Sequence, residues 1–297
     1  MNKYNSSYFY MIGIVITSLS QGFLGPIVKY MQMEALSLVV GRCVVAFIIL
    51  FLISKRFGYG VGVNDRLGVI LGGILLSVHW VTLIMAYLET NVSVVLLVLF
   101  TYPVITSLLE PLFSGTRIRK TQLFSAFLVF IGVFCLTPNA DKIAGIYVGA
   151  SLALSSAFAF SLRNILNRKL IKDSNGISIM CWQTGVSAII LLPACLYFDT
   201  NQYSLGSGLG VLIVGLFFTA IPHTLRVVVL SRLKAATVDI LASLQVVSGV
   251  IIAWWLLDEE VTVNILLGIA LVISAVFIET SNYVRNKTKE NILRLQS

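Results

Sequence analysis

Long apolar stretches, broken at regular intervals by charge, set the pattern of this chain. Nine runs contain no Asp, Glu, Lys or Arg: 4–28, 67–88, 90–109, 121–140, 143–162, 174–198, 200–225, 240–257 and 261–278. None is shorter than 18 residues. A tenth stretch, 35–54, carries a single charge, Arg42. A helix needs about 20 mainly apolar residues to cross the hydrocarbon core of a bilayer. Membrane strands are shorter, about 9–11 residues, and alternate apolar with polar. In lipid every backbone N–H and C=O must be satisfied within the spanning structure, and for runs of this length that means helices. The expected fold is all-α, with ten transmembrane helices, short connections and no soluble domain.

Composition strengthens this reading. The chain has 297 residues, of which 58% are hydrophobic and 11% charged. An average soluble domain carries about 25% charged residues. The mean hydropathy of +0.94 points the same way. A water-soluble enzyme, a disordered chain and a nucleic-acid-binding domain are excluded. The 4–28 stretch is too long for a signal-peptide core, and no small-x-small cleavage site follows Gln21, so it is expected to be a retained helix.

Lys and Arg decide orientation. With the N-terminus inside, 16 of the 21 basic residues fall on one side, from Lys3 and Lys55 to Arg294. Only Lys29 and Lys142 fall on the other, among Glu34, Glu89, Asp141, Asp199, Asp258, Glu259 and Glu260. Both termini are therefore expected in the cytoplasm. The formal charge of +8 becomes a topology and headgroup signature rather than a site for nucleic acid. Cys43, Cys135, Cys181 and Cys195 fall within the expected spans and show no disulfide or metal spacing.

Five helices on each side of 138–144 suggest a duplication. An odd number of helices per unit forces the two units into opposite orientations, an arrangement that places transporter sites near the midplane. The expected units are 1–137, an outside loop 138–144, 145–284, and a cytoplasmic tail 285–297. Residues 86–118 can be set against 229–261: in each, a helix ends, a short polar turn follows and a helix of small residues begins. Pro103 then falls opposite Val246, and Thr116 opposite Glu259.

On these residues the chain resembles the EamA family of the drug/metabolite transporter superfamily. The run LLDEEVT (256–262) before LLGIALVISAVFI (266–278) is similar to the acidic turn before that family's fifth helix, and Pro103 to the proline in its fourth. Thr116 stands where the first-half acid is usual, and Val246 where the second-half proline is usual. The resemblance implies an alternating-access carrier of small organic metabolites, working as an exporter, with amino acids or related compounds first among substrates. A cofactor precursor or nucleotide derivative is the alternative. The short loops suit a bacterial inner membrane. A monomer and a homodimer are both compatible.

Candidate cavity residues follow from depth, at about 1.5 Å of rise per residue. Gln21, His79, Trp80, Tyr102, His223 and Gln245 lie near mid-depth. Polar groups there are unfavourable against lipid and are expected to face an interior cavity. Arg226, one turn from His223 on a similar face, could meet an anionic group. Pro26, Pro103 and Pro222 are candidate hinges, because proline removes a helix donor. Glu110, Arg163 and Asp239 lie within a turn or two of the cytoplasmic face and are candidates for an ion-paired inner gate. Arg42 lies about two turns from the outer face and receives no cavity role. No Asp or Glu is at mid-depth, so protons, if they are the coupling ion, would use a histidine or Glu110.

An intramembrane enzyme is the remote alternative. No His-Glu-x-x-His zinc helix or nucleotide fingerprint occurs, and Ser77 points away from His79 at i, i+2. No catalytic residue, metal or cofactor is expected. Asp258, Glu259 and Glu260 are read as a turn entering the last helix, which a carrier should tolerate losing.

Overall fold

The computed structural model describes residues 3–58, 64–114, 120–134, 143–197, 205–230, 238 and 241–296. Among them there is no strand. The helices are α1 (Lys3–Gln21), α2 (Leu24–Met31), α3 (Ala35–Arg56), α4 (Arg66–Glu89), α5 (Val92–Leu99), α6 (Tyr102–Ser114), α7 (Lys120–Phe134), α8 (Ile143–Leu170) and α9 (Gly176–Leu191). They continue with α10 (Leu205–Gly215), α11 (Ile221–Leu230), α12 (Leu244–Leu257) and α13 (Val263–Gln296). Among the described residues, seven helical stretches are long and apolar enough to cross a membrane, and two shorter apolar helices, Leu244–Leu257 and Val263–Ile278, accompany them.

Several of the expected straight spans are broken. Gly22 and Phe23 separate α1 from α2, and Phe100 and Thr101 separate α5 from α6. A π-helical turn, Leu216–Ala220, joins α10 to α11. Pro26, Pro103 and Pro222 each sit in the first turn after one of these interruptions. At Pro26 and Pro103 a first-turn N–H is not needed by the helix, so proline is tolerated there; Pro222 follows the π turn without a break in the helical chain. Helix ends are stopped by local chemistry: Asp65 caps α4 by accepting from the Gly68 amide at 2.8 Å, and Asn175 caps α9 through the Ile177 amide at 2.8 Å. Asp258 ends α12 in the left-handed region (φ 51°), which Asp and Asn enter more readily than most residues.

The core is apolar, as in a soluble protein, but much of the outside is apolar too. Large apolar side chains such as Ile189, Trp255 and Phe277 are exposed on the outside of the bundle, as contact with lipid requires. The 92–113 stretch lies at the centre, with 78% of its apolar window buried, against 33% for 205–230. Around it α4 packs against α8 and α9, α3 against α9, and α7 against α13. Small residues permit the closest crossings. A Cβ on Gly22 would lie 2.6 Å from the Gly249 amide nitrogen, and one on Gly268 would lie 2.7 Å from the Gly132 carbonyl. Cys43 and Cys181 are buried packing residues, whereas Cys195 is exposed in the short 3-10 turn Leu192–Tyr197; Cys135 lies outside the described residues.

Candidate functional site: a polar and aromatic cavity inside the bundle

Helices α1, α2, α3, α4, α5, α6, α8, α11 and α12 all contribute to the wall of one partly enclosed cavity. Gln21 reaches it from α1, His79 and Trp80 from α4, and Tyr102 from α6. His223 and Arg226 enter from α11, and Gln245 from α12. The six side chains singled out by depth and Arg226, named for its spacing from His223, share one space. Pro222 is also on its wall, while Pro26 and Pro103 are not among the residues lining it.

Of the wall residues that the sequence did not single out, two matter most to its chemistry. Arg42 is fully buried (0% exposed) and lines the cavity from α3. Phe160 comes from α8 and stacks on both His79 (4.6 Å between centroids) and Tyr102 (4.9 Å). Arg42 carried a sequence signal, since an in-span charge is costly and seldom faces lipid. Counting turns missed it because depth was measured at the backbone, and a long guanidinium side chain works well away from its Cα. Phe160 has no such signal; it is one aromatic among many in an apolar helix.

Pro222 organises this wall through the donor it lacks. In an α-helix the Phe218 carbonyl would accept from the amide four residues on, which is residue 222. Proline has no N–H to give. The helix widens into the π turn, and the Phe218 carbonyl accepts instead from Gln21 Nε2 at 3.0 Å and from Arg42 Nη2 at 3.1 Å. Arg42 Nε donates to Thr219 Oγ1 at 2.8 Å. One proline thus creates the acceptor that tethers two cavity side chains from two other helices. π turns recur at functional sites.

The aromatic lining is interlocked by edge contacts. Trp80 meets His223 at 5.3 Å and 79°. The Arg42 guanidinium sits over Trp80 at 4.6 Å, and that of Arg226 over Tyr102 and Phe160 at 5.2 Å each. Arg226 Nη2 also donates to the Tyr102 hydroxyl at 2.8 Å. Cation–π contacts of this kind are worth about 2 kcal/mol when desolvated. His79 is fixed by Ser156: the hydroxyl donates to the His79 carbonyl at 3.0 Å, so its oxygen accepts from Nδ1 at 2.7 Å. Nδ1 therefore carries the proton. Arg42 Nη1, Trp80 Nε1 and His223 Nδ1 are buried without a hydrogen-bond partner.

The expected inner gate is arranged differently. Glu110 is paired with Arg168, not Arg163, at 2.6 Å. Arg163 is buried (1% exposed) and donates to Gln183 Oε1 at 2.9 Å and to Met180 Sδ at 2.7 Å. The reason is helical phase: five residues apart on α8, Arg163 and Arg168 point about 140° apart. Asp239 lies outside the described residues. At the other end of the bundle, Glu259 is not a free surface acid. It pairs with Lys29 at 3.0 Å and accepts from the Val92 amide at 2.8 Å and the Ser93 amide at 3.3 Å. It thus caps α5 across the fold, so the expectation that all three acids of this turn are dispensable is corrected for Glu259; Asp258 and Glu260 are exposed.

The family model of the EamA-like transporter family matches residues 8–137 and 147–280. The chain belongs to the EamA-like transporter family. An uncharacterized transporter of Archaeoglobus fulgidus is 26% identical over 268 residues, covering 89% of this chain and 94% of its own. The uncharacterized transporter YoaV of Bacillus subtilis is 22% identical, covering 93% of this chain and 98% of its own. A solved structure described as the crystal structure of a protein superposes with a TM-score of 0.69 over 95% of this chain and 98% of that one, at 14% identity; this likeness concerns fold alone. As an EamA-like protein of the drug/metabolite transporter superfamily, the chain is a multi-pass integral membrane transporter, not an enzyme, with the bilayer as its surroundings and a small molecule as its substrate.

Proposed function

We propose that this EamA-like protein is a secondary-active or facilitative carrier of small organic metabolites, working as an exporter by alternating access around the cavity just described. The observation that carries this reading is the convergence of seven polar and aromatic side chains from five helices on one interior space. Such groups are costly in lipid and are retained where they meet a solute or water. Two inverted five-helix units, 1–137 and 145–284, would supply the moving parts, with both termini cytoplasmic. The helix interruptions support this repeat. Under the pairing of Pro103 with Val246, Phe100 falls opposite Ser243, and the helix is interrupted by a turn residue at both. In that orientation the Lys29–Glu259 pair lies at the outer end, and Glu110–Arg168 lies at the inner end.

Amino acids or related compounds with an apolar body suit the aromatic wall. Among the described residues no Asp or Glu lines the cavity, so a proton-coupled cycle would run through His79 or His223. The test is uptake and counterflow in proteoliposomes with a pooled metabolite mixture, analysed by mass spectrometry, against protein-free vesicles and His223→Ala. Selective exchange of one compound class, reduced in His223→Ala, is the expected result. Absence of exchange for every compound, under either direction of pH gradient, would overturn the carrier reading.

A further inference from the structure

Resting on the carrier reading, we infer that the group recognised in this cavity is a carboxylate, and that its partner is Arg42: the substrate is an organic acid with a flat or apolar body, and an ammonium group on it is dispensable. Arg42 is fully buried, yet no carboxylate among the described residues is bonded to it or lines the cavity. Its charge is shared with neutral groups only: the Thr219 hydroxyl, the Phe218 carbonyl and the Trp80 ring. A buried charge left without a counter-charge is unfavourable, and the cost is relieved when an anion enters. Nη1, the remaining arm of the guanidinium, is buried and donates to nothing. The other two arms are tethered, so Nη1 is held in place for an incoming acceptor.

The neighbouring groups fit the same ligand. Trp80 Nε1 and His223 Nδ1 are also buried without partners on residues of this wall, and Trp80 Nε1 can only donate. No carboxylate among the described residues lines the cavity to balance an ammonium; the only acceptors offered are neutral, such as the Gln21 amide oxygen, whose nitrogen donates to the Phe218 carbonyl. Tyr102, Phe160 and His223 present rings in edge-to-face array, which suits a flat or branched apolar body. The sequence alone placed one arginine, Arg226, where it could meet an anionic group and gave Arg42 no cavity role.

Binding to purified protein in detergent is measured by calorimetry for hydrocinnamate, indoleacetate, ketoisocaproate and succinate, each beside its amide, together with phenylalanine and phenethylamine. Exchange of the same compounds is then followed by counterflow in proteoliposomes. At least one acid is expected to bind about tenfold to a hundredfold more tightly than its amide, the size of one charge-assisted hydrogen bond. Hydrocinnamate should bind at least as well as phenylalanine, and phenethylamine should not bind. Arg42→Gln should lose the preference for acid over amide, and Arg42→Lys should retain part of it. Equal binding of acid and amide, tighter binding of phenethylamine or phenylalanine than of hydrocinnamate, or failure of all four acids overturns the inference while leaving the carrier reading to the pooled assay. Binding of an acid through Arg42 together with no exchange of any compound, these or the pooled mixture, overturns the carrier reading and leaves the carboxylate site standing. The wild-type comparison stands even if Arg42→Gln does not fold.

Discussion

Replacing Glu259 should weaken the fold more than any other single change at the Lys29 end of the bundle. Its side chain is 6% exposed and meets Lys29, 24% exposed, at 3.0 Å. The same carboxylate caps α5 through the Val92 and Ser93 amides. Removing one partner of a buried ion pair costs about 3–5 kcal/mol. Lys29 keeps some contact with water, which places Glu259→Ala near the lower end, at about 3 kcal/mol. Glu259→Gln keeps a carbonyl for the Val92 amide and loses the charge, for about 1.5 kcal/mol. Lys29→Met leaves Glu259 compensated by the amides and by the positive end of α5, for about 1 kcal/mol. The assay is reversible unfolding in mixed micelles, read by far-ultraviolet circular dichroism. The expected order of midpoints is wild type, Lys29→Met, Glu259→Gln, Glu259→Ala, with Asp258→Ala and Glu260→Ala close to wild type. If Glu259→Ala unfolds with the wild-type midpoint, the cap is not holding these helices together and the reasoning fails.

Pro222→Ala should restore an amide to the Phe218 carbonyl, release Gln21 and Arg42 from it, and raise the KM for exchange while leaving the protein folded; an unchanged KM would show that the π turn does not organise the cavity. Gly22→Ala should cost about 1–3 kcal/mol by overpacking against the Gly249 backbone, and an unfolding midpoint equal to wild type would count against that close crossing. Glu110→Gln should change stability by less than about 1 kcal/mol, because the Glu110–Arg168 pair is partly exposed; a loss as large as that of Glu259→Ala would mean that the pair carries more than a surface contact.

Charge spacing alone made the membrane class, the helical content and the positions of the apolar stretches legible, because a bilayer imposes one length and one backbone solution on whatever crosses it. Depth along each stretch also picked out Gln21, His79, Trp80, Tyr102, His223 and Gln245, since polar groups at mid-depth have few places to go but inward, and helical spacing from His223 added Arg226. Which charges meet was beyond that reasoning. Glu110 pairs with Arg168 because helix phase, not depth, decides direction. Arg42 enters the cavity because its reach carries it inward from α3 and because Pro222 leaves a carbonyl free to hold it. Glu259 caps α5 because the chain returns across 166 residues to place it there. Periodicity and composition are properties of single segments and can be read one segment at a time. Pairing, tethering and the enclosure of a cavity depend on how segments distant in sequence rotate and dock, and only the tertiary structure decides those.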